Sequence, residues 1–260
     1  MNQPFKNLLG EGGFQPRTYR SQFNTLRFAG FEVAHLETDL WIGVDPDSFQ
    51  PEMKAVAFEK IKSLRGILDQ YIANEPFFKK SLKPFQPSEI APKEAIEMAV
   101  AAGRAGIGPM STVAGLFARE VGEALLQNFS IEEMVIENGG DIYVLLKNEL
   151  VLSVFAGESI LSERIGLVIP PEKSKLGICT SAGTVGPSLS FGKADAVVVV
   201  CGDVLLADAF ATAFGNKVKS PNDVEKVINQ SEIHPEILSM LIVCEDKVGI
   251  KGENEIRILK

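Results

Sequence analysis

The chain contains 260 residues, of which 45% are hydrophobic and 23% are charged. This composition is typical of a globular protein and excludes the disordered and fibrous classes. The formal net charge of -8 at pH 7 argues against a nucleic-acid-binding protein, because such a protein needs a basic surface to displace counterions from phosphates.

The cysteines and the N-terminus favour a cytoplasmic protein. Cys179, Cys201 and Cys244 are widely spaced in apolar runs, which fits neither a disulfide framework nor a zinc-binding pattern. The first residues lack the basic and apolar regions of a secretory signal, and no apolar run approaches the ~18 residues of a membrane span. We therefore expect a cytoplasmic protein that binds neither membranes nor nucleic acids, and a homo-oligomer stays open.

The first part of the chain predicts strands followed by helices. Residues 1–22 mix glycines, prolines and arginines and predict an irregular arm. Short apolar runs separated by turn residues predict antiparallel strands at 25–28, 31–36 and 39–44. Apolar residues at helical spacing then predict a core-facing helix over 53–71. A proline-punctuated connection covers 74–92, and Pro92 suits the first turn of a short alanine-rich helix that ends at Arg104.

A glycine-rich segment at 105–112 precedes the next helix, whose core-facing residues run from Val113 to Leu125. Ser111 is expected to cap this helix. A glycine-rich turn that enters a helix at Ser111 and Thr112 also suits an anion, or a backbone carbonyl that faces a metal. Both interpretations, a cap alone and a ligand site, stay open.

Two apolar strands within 134–146 flank a turn formed by Asn138, Gly139, Gly140 and Asp141. Asn and Gly accept the positive φ that tight hairpin turns require, so the pattern predicts a hairpin. The turn is either purely structural or presents its glycine amides and Asp141 to a ligand, and the pattern does not choose between the two. Further strands are predicted at 150–156 and 164–169.

Residues 177–215 carry the chemistry most densely. Their first part supplies hydroxyl groups and unhindered backbone N–H groups, as phosphate binding requires. These groups come from Thr180, Ser181, Gly183 and Thr184. The valine-rich run 194–201 predicts a strand buried on both faces, and Asp203 suits the N-cap of a helix that reaches Gly215. A short helix and a three-stranded meander at 238–244, 247–251 and 255–259 are expected to follow.

Asp208 and Thr212 lie four residues apart in the predicted helix, so a carboxylate and a hydroxyl share one face. Their neighbours are mostly alanines, which let another segment approach closely enough to complete an oxygen-ligand site for a hard cation such as Mg²⁺. The alternative is a tightly packed core helix in which the threonine bonds its own backbone and the aspartate caps a neighbouring segment.

The turn at 138–141, the segment 180–183 and the helix around Asp208 follow one another in an order that resembles the ApbE superfamily of FAD:protein FMN transferases. Residues 109–118 look like that superfamily's entry into a helix, and the resemblance, which covers roughly residues 25–250, is to a shorter bacterial and archaeal subfamily. It implies one α+β domain over 1–260, with antiparallel sheets covered by helices in an ApbE-like, T-fold-like architecture.

The resemblance also implies ligands and partners. Asp208 and Thr212 would match the superfamily's Mg²⁺ ligands, with a backbone carbonyl near Thr112 as the third, and the segments 138–141 and 180–183 would line a pocket for FAD or FMN. In the transferases, a hydroxyl of an acceptor protein attacks the pyrophosphate of FAD, takes FMN and releases AMP. The implied partners are therefore a small nucleotide or flavin and an acceptor protein.

Two departures from the superfamily pattern leave the reaction open. The transferases carry a His-x-x-Asp-Pro-x-Thr-Gly segment, whereas residues 184–195 contain no histidine, and the superfamily's lysine at the helix start is Gly115 here. Asp195 is either a catalytic substitute or the cap of a strand end. The hypotheses are a Mg²⁺-dependent flavin- or nucleotide-handling enzyme, a non-enzymatic module that binds a flavin or another phosphorylated ligand, and a scaffold with purely structural glycine turns.

Overall fold

An eight-stranded antiparallel sheet forms the centre of the fold, with helices on one face and a three-stranded sheet on the other. The computed structural model describes residue 20 and residues 26–171, 175–183 and 190–259. Every strand pair within this part of the chain is antiparallel. The predicted α+β class, with antiparallel sheets covered by helices, is therefore confirmed.

The strands of the central sheet come from most of the chain. In chain order they are β1 Ala29–His35, β2 Thr38–Val44, β3 Met134–Asn138, β4 Asp141–Leu145, β7 Leu176–Ser181, β8 Ala196–Cys201, β9 Ile237–Cys244 and β10 Lys247–Gly252. They lie side by side in this same order. The smaller sheet contains β5 Leu150–Ser153, β6 Ile165–Ile169 and β11 Ile256–Ile258, with β6 in the middle.

The helices share the other face of the central sheet. They are α1 Met53–Asn74, α2 Pro76–Lys80, α3 Lys93–Ala105, α4 Val113–Asn128, α5 Val204–Gly215 and α6 Val224–Gln230. A 3₁₀ turn at Pro109–Thr112 leads directly into α4. The helices predicted over 53–71, 92–104 and 203–215 are confirmed, because their apolar spacing and end residues are local properties of the sequence.

Strand β8 shows why the valine-rich run is apolar throughout. All six of its residues are buried. Val197 and Val199 face the core under the helices, whereas Val198 and Val200 face the core under the smaller sheet. Successive side chains of a strand point to opposite faces, so a strand between two layers needs apolar residues at every position. The predicted strand buried on both faces is confirmed.

Three predicted details were wrong. Residues 26–28 form a turn and its exit, not a strand, because β2 ends at Val44, the partner of Ala29, and leaves no strand for them to pair with. Strand β11 pairs with β6 in the smaller sheet instead of extending the C-terminal meander. The Ser111 hydroxyl does not cap α4 but donates to the carbonyl of Gly108 at 2.7 Å, because Ser111 lies within the 3₁₀ turn and Thr112 occupies the N-cap position.

The predicted connection over 74–92 also contains the short helix α2. Apart from Arg20, the predicted arm over 1–22 lies outside the described residues, as does Thr25.

Candidate functional site

Asp208 lies on α5 where that helix meets the start of α4. Its carboxylate is 6% exposed, and Oδ2 accepts a hydrogen bond from the backbone N–H of Gly115 at 2.9 Å. The approach is close: a Cβ added to Gly115 would lie 3.0 Å from the carbonyl oxygen of Val204 and 3.3 Å from Asp208 Oδ2. Position 115 therefore has little room for a side chain, and its N–H group serves the buried carboxylate.

Two further ionisable groups surround Asp208. Asp141 begins β4 and pairs across the sheet with Cys179 on β7. The Cys179 thiol is fully buried and donates to the carbonyl oxygen of Val204 at 3.6 Å. Burial raises the pKa of the Cys179 thiol, and the charges of Asp141 and Asp208 raise it further. The fold thus gathers two carboxyl groups and a thiol from β4, β7 and α5.

The electrostatics of Asp208 are those of a buried acid beside a second acid. Burial raises its pKa well above the ordinary value, the charge of Asp141 adds to this effect, and the N–H of Gly115 opposes it. Burial and a like charge both disfavour the ionised carboxylate. A cation at this place would offset both effects.

The hairpin turn between β3 and β4 has the predicted backbone, because Gly139 and Gly140 have φ values of 70° and 105°. Its polar groups are bonded within the chain. Asn138 Nδ2 donates to the carbonyl oxygen of Ala114 at 3.1 Å, next to Gly115. The amides of Gly139 and Gly140 donate to Glu137 Oε1 at 2.5 and 3.1 Å. In this structure the glycine amides are therefore bonded to a carboxylate of the chain itself.

Glu137 and Arg20 are two residues that the sequence analysis did not identify. Glu137 is 2% exposed, and its Oε2 accepts from Arg20 Nε at 2.8 Å. A single acidic residue in an otherwise apolar strand is the pattern that could have marked Glu137. No local pattern marks Arg20, because 117 positions separate the two residues.

Close-packed glycines bring the end of β7 against the end of α5. A Cβ on Gly183 would overlap the carbonyl oxygen of Gly192, and a Cβ on Gly192 would overlap that of Gly215. Ser181 Oγ lies 3.1 Å from where a Cβ of Gly215 would be. The hydroxyl of Ser181 is thereby held near the helix that carries Asp208 and Thr212, whereas Thr180 pairs with Val198 and shares its face of the sheet, away from that helix. All three hydroxyl residues are half-buried.

The remaining predicted residues have separate positions. Thr112 is fully buried, and its hydroxyl donates to the carbonyl of Pro109 at 2.9 Å. Asp195 is buried, and its Oδ2 accepts from the backbone N–H of Glu245 at 2.6 Å, in the β9–β10 turn. The Asp195 carboxylate thus caps that turn, as the structural alternative expects. Thr184 lies outside the described residues.

Asp208, Asp141 and Cys179 do not form a metal site by themselves. Across the described ranges, no three His, Cys, Asp or Glu side chains are placed to hold a metal ion together. Any cation at Asp208 would need hydroxyl, carbonyl, water or ligand oxygens in addition. None of the helices in the described ranges has the length and apolarity that a membrane crossing requires.

The comparisons with known proteins agree with this fold. A family model described as AbpE bacteria matches residues 20–240. The UPF0280 protein of Methanosarcina barkeri is 39% identical over 198 residues, which cover 76% of this chain and 78% of the relative.

Two solved structures have a similar fold. The flavinyl transferase ApbE of Pseudomonas stutzeri, in its apo form, superposes with a TM-score of 0.55 at 12% identity, covering 86% of this chain and 93% of that one. The flavin transferase ApbE of Vibrio cholerae superposes with a TM-score of 0.52 at 12% identity, covering 86% and 96%. At this level of identity the likeness concerns the fold alone.

Proposed function

The chain belongs to the family described as AbpE bacteria, and on this basis we propose that it is a flavin- or nucleotide-handling protein that binds its ligand together with Mg²⁺ at Asp208. The names of the two structural neighbours, which are flavin transferases, support the flavin. The chemistry of the site supports the cation and a phosphorylated ligand.

The observation that carries the proposal is the pair of carboxyl groups of Asp208 and Asp141. Burial and mutual repulsion raise the pKa of Asp208, and a divalent cation would remove both penalties. Mg²⁺ typically takes one or two carboxylates and completes its shell with water and substrate phosphates. The absence of a cluster of three acidic, Cys or His side chains from the described residues is therefore compatible with Mg²⁺.

Further oxygen donors lie close by. Thr212 follows Asp208 by one helical turn on the same face, and the backbone around Thr112 and Ala114 enters α4 beside Gly115. Mg²⁺ bound there would neutralise and polarise the phosphates of the ligand. The hydroxyl of Ser181, next to the end of α5, would donate a hydrogen bond to a phosphate oxygen. Asn138 fixes the carbonyl of Ala114 and so holds the start of α4 in place.

A non-enzymatic binding module is the second candidate, and specific observations favour it. Asp195, the candidate substitute for the missing histidine, accepts a hydrogen bond from the backbone N–H of Glu245 in the β9–β10 turn. The glycine amides at 139–140 are engaged by Glu137. Gly115 offers only its N–H group and has no side chain that could move a proton during transfer.

The test is incubation of the purified protein with FAD and MgCl₂, with and without an acceptor peptide that carries Ser or Thr. Binding is followed by calorimetry and AMP release by chromatography. The matched variants are Asp208→Asn, which keeps an acceptor for the Gly115 N–H, and Asp246→Asn at an exposed position. We expect Mg²⁺-dependent binding that Asp208→Asn loses and Asp246→Asn keeps.

The two candidates differ in the product. AMP release that requires Mg²⁺ and Asp208 supports an enzyme, whereas saturable binding without AMP supports the binding module. Equal binding by the wild type and Asp208→Asn, or no binding of FAD, FMN or ADP by either, would refute the proposed site.

A further inference from the structure

We propose that Phe191 is a specificity-determining residue of this site and supports the planar ring of a flavin or nucleotide. The inference rests on the proposed function. It adds the position of the ring and a preference for phosphorylated ligands that carry an aromatic group.

The backbone around Phe191 is fixed against the end of α5. The N–H of Phe191 donates to Asn216 Oδ1 at 2.8 Å, and the carbonyl of Phe191 accepts from Lys219 Nζ. The N–H of Lys193 donates to the carbonyl of Val218 at 2.8 Å. Both polar backbone groups of Phe191 are thus bonded, so the scaffold holds the backbone from which its side chain extends.

This segment adjoins the candidate ligand groups. Gly192 lies between Gly183, which follows the hydroxyl pair on β7, and Gly215 on α5, with no space for a Cβ toward Gly215. Asn216, which holds the N–H of Phe191, donates its own N–H to the carbonyl of Thr212 at 3.0 Å. The segment with Phe191 is therefore next to the end of β7, which carries Ser181, and to the end of α5, which carries Thr212.

The Phe191 side chain is 52% exposed although its backbone is fixed. Exposed lysines flank it at positions 193, 217 and 219, in a chain whose net charge is -8. The acid on this segment, Asp223, accepts the Lys219 N–H and the Ser220 hydroxyl. An accessible aromatic ring among lysines suits a ligand that combines a planar ring with phosphates.

Stacking of a base on an aromatic side chain contributes about 1–3 kcal/mol by alanine substitution, which corresponds to a change of about 5- to 150-fold in the dissociation constant. This range sets the expected effect of Phe191→Ala. Phe191→Trp keeps an aromatic surface and is expected to keep most of the affinity.

The experiment compares three probes in MgCl₂: FMN, riboflavin, which has the ring but no phosphate, and inorganic pyrophosphate, which has no ring. The proteins are the wild type, Phe191→Ala, Phe191→Trp and Phe155→Ala. Phe155 is a matched control because it is 46% exposed and follows β5 of the smaller sheet. Dissociation constants come from calorimetry, and the shift of the flavin absorption band on binding reports stacking.

We expect Phe191→Ala to raise the dissociation constants of FMN and riboflavin by about 5- to 150-fold. The variant should also lose the absorption shift, and its dissociation constant for pyrophosphate should be unchanged. Phe191→Trp and Phe155→Ala should resemble the wild type. Unchanged FMN binding by Phe191→Ala, or an equal loss for pyrophosphate, would overturn the inference and leave the proposed function standing. A wild type that binds no probe would refute the proposed function itself.

Discussion

Asp208→Asn tests the proposed cation site at Asp208 and Asp141 through stability as well as binding. Asparagine has nearly the same size as aspartate and can still accept the Gly115 N–H that Oδ2 accepts at 2.9 Å. The substitution removes the charge that burial and Asp141 disfavour. We therefore expect the variant to unfold at a higher temperature than the wild type in the absence of divalent cations, and to lose the stabilisation that Mg²⁺ gives the wild type.

The magnitude of the Mg²⁺ effect follows from linkage. A cation that binds only the folded state at 100 times its dissociation constant adds about 2.7 kcal/mol to the free energy of unfolding. For a chain of this size, each kcal/mol raises Tm by roughly 2–4 °C. The wild type should therefore gain about 5–11 °C at saturating MgCl₂, and Asp208→Asn should gain close to nothing.

The pH dependence has a definite sign. Because the pKa of Asp208 is raised in the folded state, this group favours folding fully only below the pKa it has in the unfolded chain, about 3.9. Its contribution is lost as the pH rises through the folded-state pKa. A cation must displace the proton that the folded carboxyl retains. The Mg²⁺-dependent gain in Tm should therefore be larger at pH 8 than at pH 5.

The assay is thermal unfolding by circular dichroism at pH 5 and pH 8, with and without MgCl₂, and with Asp246→Asn as the exposed control. A Mg²⁺ gain of equal size in the wild type and Asp208→Asn would place the cation elsewhere. A gain that shrinks with increasing pH would contradict the assignment of a raised pKa to the binding carboxyl.

Two further predictions concern the scaffold. Gly192→Ala places a Cβ against the carbonyl oxygen of Gly215 and should lower the free energy of unfolding in urea by about 1–3 kcal/mol. Gly202→Ala, where an added Cβ has nothing within 4 Å, should leave it unchanged. Equal unfolding midpoints for the two variants would refute the packing argument. Burial raises the pKa of Glu133, but hydrogen bonds from Arg27 and from two backbone N–H groups outweigh this effect and lower it. The ionised group therefore stabilises the fold above the unfolded-state pKa, about 4.3, and less as the pH falls through its folded-state pKa. Glu133→Gln should lower the free energy of unfolding by about 1–3 kcal/mol at pH 7 and by less at pH 3. A loss that does not depend on pH would contradict the lowered pKa of Glu133.

Most elements of the fold were predictable from local sequence patterns. The spacing of apolar residues predicted α1, and Asp203 predicted the start of α5, where its side chain accepts the Leu205 N–H at 2.8 Å. The glycine turn predicted the β3–β4 hairpin. Each of these features is determined by residues within a few positions of one another, so the sequence alone contains the required information.

Long-range contacts of the site were not predictable in the same way. The sequence grouped Asp208 with Thr212 because they are four residues apart. It did not group Asp208 with Cys179, although the charges of Asp141 and Asp208 raise the pKa of the Cys179 thiol. Asp141 was named as a ligand candidate by its turn, although 67 positions separate it from Asp208. Only the order of strands, which places β4 beside β7 under α5, brings these groups together.

Gly115 departs from the superfamily pattern and also contacts the buried carboxylate of Asp208. In a chain with the superfamily's lysine at this position, a side chain would occupy the space that lies 3.0 Å from the Val204 carbonyl and 3.3 Å from Asp208 Oδ2. Glycine leaves that space free, and α4 approaches α5 closely enough for its N–H to reach Asp208. The close approach of α4 to α5 and the amide-bonded carboxylate of Asp208 are therefore one structural feature. Burial and Asp141 raise the pKa of Asp208, so either a proton or a bound cation offsets the cost of its charge. Replacement of the proton by Mg²⁺ is the physical basis of the proposed requirement for Mg²⁺.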